Sequence, residues 1–159
     1  MCLNKERMRN MKRITALLLL ISILIIVLTG CRITLKLDIS PYDDDIQDNR
    51  ITMIVKETDI KTSTEMITLV IKNALGVEIS FGHEQHLEKL IDDQWYVVPL
   101  NGKAFWTEEG ILLEGRGMIE EMFYLSFYDN LSEGTYRVIK NFYMDDGSKI
   151  VASVEFNIN

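Results

Sequence analysis

The sequence predicts an all-β protein, an antiparallel β-sandwich of seven to eight strands standing behind an N-terminal signal segment. Three observations carry this: apolar residues recur with period two from Ile51 onward, turn signals separate the alternating runs, and no segment carries a helical stripe. Short strands spaced by turns over about 110 residues, each with one apolar face, bury that face most economically against a second sheet.

The segments follow in order. Ile51, Met53 and Val55 alternate with Thr52 and Lys56; Ile67, Leu69 and Ile71 alternate with Thr68, Val70 and Lys72; Val77, Ile79 and Phe81 alternate with Glu78 and Ser80. Residues 87–91 and 95–98 flank Asp92-Asp93, a two-residue hairpin turn. Residues 111–113 lead into Gly115-Arg116-Gly117, and 118–127 form one long strand candidate. Residues 136–143 and 150–158 close the chain around Asp145-Asp146-Gly147-Ser148. The last strand is the cleanest: Ile150, Ala152, Val154, Phe156 and Ile158 share one face, which implies a sheet with water on its other side.

The first fifty residues carry an address. Lys12-Arg13, an apolar run over 14–28 and the small pair Thr29-Gly30 meet the three requirements of an export leader in order. Met8 and Met11 are alternative starts that leave the same leader. The apolar run is shorter than the roughly 20 residues a membrane-spanning helix needs. Leu28-Thr29-Gly30-Cys31 resembles the bacterial lipoprotein signal, in which the cysteine thiol receives a diacylglycerol and the preceding peptide is removed. That resemblance implies a leader over 1–30, lipidation at Cys31, a lipidated tether over 31–50 and a folded domain over 51–159. The product would be held on the extracytoplasmic face of the cell membrane by its lipid. Asp43, Asp44, Asp45 and Asp48 beside Pro41 read as a solvated linker, since they lack the spacing of a calcium loop.

Composition narrows the function classes. Taking the five basic and one acidic residues of 1–30 from totals of 17 and 24 leaves 12 and 23, a net charge of −11. Such a chain repels nucleic-acid phosphates and has no basic patch to offset this, so nucleic acid is excluded as a partner. The same charge pushes the domain away from anionic headgroups. With Cys2 in the leader and Cys31 acylated, no disulfide is available, and the domain rests on packing.

Chemistry-bearing clusters are few. His83, Glu84 and His86 form the one group with metal-ligand character. On a strand, positions 83 and 86 face opposite sides, and two ligands do not make a zinc site, so a surface loop is expected and a small metal-binding factor or enzyme is the alternative. Glu108-Glu109, Glu120-Glu121 and Asp145-Asp146 are adjacent and splay apart, which suits solvated faces rather than a catalytic pair. No catalytic residue, metal site or cofactor is assigned. Phe105-Trp106 is expected to lid the core, with a contact surface as the alternative.

Tyr136 follows Leu131 and Gly134 at the start of the penultimate strand. A tyrosine so placed in immunoglobulin-like sandwiches ties its hydroxyl back to the preceding corner. With this, the span 51–158 resembles a bacterial immunoglobulin-like domain family of membrane-anchored lipoproteins. The stretches that carry the likeness are Ile67-Thr68-Leu69-Val70-Ile71-Lys72-Asn73, Phe81-Gly82 with Leu87-Glu88-Lys89-Leu90 and Trp95-Tyr96-Val97-Val98-Pro99, and residues 131–140. The resemblance implies a non-catalytic binding or scaffold module whose partners are envelope or surface proteins. Three features depart from the general immunoglobulin pattern: no cysteine pair joins the sheets, Trp95 follows a turn, and Lys140 has inward parity. The lysine stem is expected to snorkel at the sandwich end.

Overall fold

The computed structural model describes residues 37–42, 46, 48–102 and 104–159. Residues 37–159 form one compact unit. Its elements are β1 (Ile51–Val55), β2 (Met66–Asn73), β3 (Ile79–Phe81), β4 (His86–Ile91), β5 (Gln94–Val97), β6 (Ile111–Leu113), β7 (Met118–Tyr124), a 3-10 turn (Leu125–Phe127), β8 (Gly134–Tyr143) and β9 (Lys149–Ile158). All pairings between these strands are antiparallel.

Two sheets result, and the sandwich is as the alternation requires. The smaller has the order β1-β2-β7. In the larger, β8 is the central strand: β9 pairs along one edge, while β4 and β3 share the other, with β5 outside β4 and β6 outside β3. The short strands β3 and β6 bring the count among the described residues to nine. The core lies between the sheets, where Ile67, Leu69 and Ile71 of β2 and Phe123 of β7 are buried together with Val138 and Phe142 of β8 and Ile150 and Ile158 of β9. Phe81 and Phe142 pack at a ring separation of 5.2 Å.

The turns are built as their residues demand. Asp92 and Asp93 both take left-handed backbone (φ 50° and 62°), the twist that suits a two-residue hairpin, and Gly147 supplies φ 80° between β8 and β9. Asn73, fully buried at the end of β2, staples the connection after it: its Nδ2 donates to the carbonyls of Val77 (2.8 Å) and Glu114 (3.0 Å), and its Oδ1 accepts the Leu75 N–H at 2.9 Å.

Two expectations change. The strand predicted over 118–127 ends at Tyr124, because the Tyr124 N–H leaves the ladder for Gln85 Oε1 (3.1 Å) and the next three residues coil to bury Leu125. Val77 is exposed and precedes β3.

The water-facing side predicted for the larger sheet is instead covered over much of its width. Arg137 and Ile139 have outward parity on β8, opposite to Tyr136 and Val138, yet both are buried. Over Arg137 the cover comes from residues 37–42, part of the stretch expected to be tether. Ser40 N–H donates to Trp95 O (2.9 Å), Val97 N–H donates to Asp38 O (2.8 Å), and Ile39 bridges Tyr96 in antiparallel sense. Further along, Ser153 of β9 donates its hydroxyl to Ile46 O at 3.0 Å. Among the described residues, no helix is long and apolar enough to cross a membrane. Residues 1–36, where a leader and an acylated Cys31 are expected, lie outside the described residues, as do Asp43, Asp44 and Asp45.

Candidate functional site

Four places concentrate polar or exposed apolar chemistry. The first is a sealed cluster on the outer face of the larger sheet. Glu88 of β4 and Arg137 of β8 are register partners, both 0% exposed. Arg137 Nε donates to Glu88 Oε2 at 2.7 Å, while Glu88 Oε1 accepts Ser40 Oγ–H at 2.6 Å and lies 2.9 Å from His86 Nε2. The guanidinium lies 4.4 Å from the centre of the Trp95 ring and also reaches Ser40 Oγ at 3.3 Å. Tyr42 meets the His86 ring edge-on at 5.4 Å. Burial pushes the Glu88 carboxyl up, but the bonds from Ser40, His86 and Arg137 outweigh burial and hold it below the usual carboxylate range. Glu88 thus joins β4, β8 and Ser40 in one buried polar contact. Sequence reasoning missed this cluster, because outward parity in a strand normally means solvent.

The second place bridges the two sheets. Lys140 of β8 is 3% exposed and points inward. Its ammonium lies 2.9 Å from Oε2 and 3.1 Å from Oε1 of Glu121 on β7, donates to Gly82 O at 3.0 Å, and sits 5.3 Å from the centre of the Phe81 ring. The lysine therefore does not snorkel to solvent; it meets a carboxylate from the facing sheet. Glu121 is correspondingly buried and not on a solvated face, in contrast to its exposed neighbour Glu120, which pairs with Lys56 at 2.9 Å.

These contacts separate the histidine cluster. His83 Nδ1 faces Glu121 at 3.4 Å across the sandwich, whereas His86 faces Glu88 and Tyr42 on the outer side. Glu84 contributes its carbonyl to Lys140 at 3.4 Å. The residues His83, Glu84 and His86 are not brought to a common point. Among the described residues, no group of three His, Cys, Asp or Glu side chains is placed to hold a metal ion.

Tyr136 forms the third feature. Its hydroxyl donates to Ser132 O at 2.7 Å and accepts the Ser132 N–H at 3.1 Å, fastening the corner that leads into β8. Lys89 lies 5.1 Å from the centre of the same ring. This is a structural contact.

Exposed apolar surface is the fourth. Phe105 is 80% exposed, so it does not lid the core. Trp106 lines a cleft of about 570 Å³ with Ser80, Phe81, Gly82 and Tyr143 on the β3 side of the larger sheet. The outer face of the smaller sheet is bare: Ile54, Met66, Met118, Met122 and Tyr124 are all exposed there, interrupted by the Lys56–Glu120 pair. Such a face offers contact area rather than chemistry.

No curated protein matches the chain. Residues 47–157, well over half of the sequence, match the family described as Bacterial Ig-like domain. The match spans both sheets and every strand but the last residue of β9, and it begins after the segment that covers the Glu88–Arg137 cluster. The chain belongs to the bacterial Ig-like domain family.

Proposed function

We propose that this protein is an extracytoplasmic lipoprotein whose Ig-like domain is a non-catalytic binding or scaffold module, held at the cell membrane through Cys31. The observation that carries the reading is Leu28-Thr29-Gly30-Cys31 at the end of an apolar run, six residues ahead of the compact unit that starts at Leu37. An export leader and an acylation cysteine make sense of a domain that is acidic, free of disulfides and closed by packing. Family membership supports the binding or scaffold role. The polar clusters support it too, since their charged groups are consumed in structural contacts. Envelope or surface proteins are the partners this reading implies, met through edge strands, end loops and the bare face of the smaller sheet.

The test is the mass and location of the protein recovered from bacterial cells. The wild-type chain should partition into membranes, begin at residue 31 and carry the added mass of acyl chains. Cys31→Ser should lose that mass and keep its leader. An unmodified thiol on a chain that retains residues 1–30 would overturn the reading.

A further inference from the structure

We infer that residues 37–42 are a latch that sets how far the domain stands from the bilayer. This rests on the anchor at Cys31 proposed above. The latch is specific: backbone bonds join it to β5 at Asp38 and Ser40, and the Ser40 hydroxyl enters the buried Glu88–Arg137 pair. These residues lie ahead of the family match at 47–157, yet they belong to the same compact unit as the sandwich.

Direction gives the latch its consequence. Because residue 39 runs antiparallel to β5, and β5, β4 and β8 are successively antiparallel, the chain followed back from Ser40 to Leu37 runs the way β8 runs toward Tyr143. With the latch closed, only residues 32–36 lie between Cys31 and Leu37, a reach of at most about 20 Å. Opening it through residue 42 adds six residues and raises that reach to about 40 Å. A closed latch therefore keeps the domain beside the membrane and limits its partners to molecules at the bilayer surface. Opening admits partners further out.

The experiment uses the full lipidated chain, purified from membranes and reconstituted in phosphatidylcholine vesicles bearing a headgroup energy acceptor. The donor dye is carried on Ser63→Cys, in the exposed turn before β2. Ser40→Pro removes both the N–H to Trp95 O and the hydroxyl to Glu88, while leaving the Glu88–Arg137 pair and the core in place; Ser40→Thr keeps the hydroxyl. Ser40→Pro is expected to lower energy transfer by about half, with Ser40→Thr matching the wild type. Equal transfer in all three would overturn the latch. A second readout stands apart from any variant: the Ser40 and Val97 amides of the wild-type chain should exchange hydrogen at least 100-fold more slowly than an unstructured segment, and unprotected exchange there sinks the proposal. Failure of the anchor looks different, because the protein purified from membranes would then lack the acyl mass and retain residues 1–30, whatever the energy transfer.

Discussion

The outer faces of the two sheets obey the same alternation and meet opposite fates. On the smaller sheet the outward positions Ile54, Met118 and Met122 are open to solvent, Met118 at 68%. On the larger, the outward positions Arg137 and Ile139 are buried. Nothing in the local pattern of β7 or β8 marks the difference. A segment from the start of the domain, almost a hundred residues away from Arg137, lies over one face and leaves the other bare. Strand parity assigns a side chain to a face, and tertiary cover decides whether that face is wet.

The largest effect expected from this contrast comes from Arg137→Ala. It leaves the Glu88 carboxylate buried without its main counter-charge, which costs about 3–5 kcal/mol. The melting temperature should drop by about 10–20 °C. A loss under 1 kcal/mol in urea titration would mean that water reaches the cluster and that the face is not sealed. By contrast, the exposed Lys56–Glu120 pair on the bare face is screened by solvent and contributes little to stability.

Acid should act on the covered face next. Glu88 is held below the ordinary glutamate value near 4.5, so its ionised form favours the folded state. That contribution is complete above the ordinary value and disappears as the pH falls through the lower folded one. Urea midpoints of the wild type should therefore be level above about pH 5.5 and decline below about pH 4.5. Glu88→Gln should start from a lower plateau and decline less steeply, with Asp48 and Glu57, also held low, supplying the remainder. Identical acid limbs in the two proteins would remove Glu88 from the account.

How much of this was legible beforehand depends on the distance over which each signal acts. The strand cores, the Asp92-Asp93 hairpin and the Tyr136 contact are set by residues within a few positions of one another, and a period of two or a turn dipeptide reports them. The end of β7 was not readable, because Gln85, 39 positions away, captures the Tyr124 N–H. Parity places Lys140 inward, but Glu120 and Glu121 are adjacent and look alike in sequence, so both read as solvated. Only the facing sheet distinguishes Glu121 from Glu120. Phe105 erred the other way: a large ring suggests burial, and the connection it sits on holds it away from the core. The Ser40–Glu88–Arg137 cluster joins three segments far apart in the chain, and no spacing rule reaches across them.

The smallest expected effect is the one that best separates the two faces. Met118→Lys and Met122→Lys each place a charge on an exposed outward position of β7, where neither a packed neighbour nor a desolvated partner is lost. Each should change stability by no more than about 0.5 kcal/mol. Ile139→Lys, on the corresponding outward parity of β8, should cost several times more, because an ammonium there replaces a buried apolar side chain beneath cover. Thermal melts of the three proteins under one buffer give the comparison directly. If the methionine substitutions prove as damaging as the isoleucine one, the smaller sheet is covered in solution, and a second copy of the chain is the first candidate to test by sedimentation. If all three are mild, the cover over β8 at Ile139 is loose.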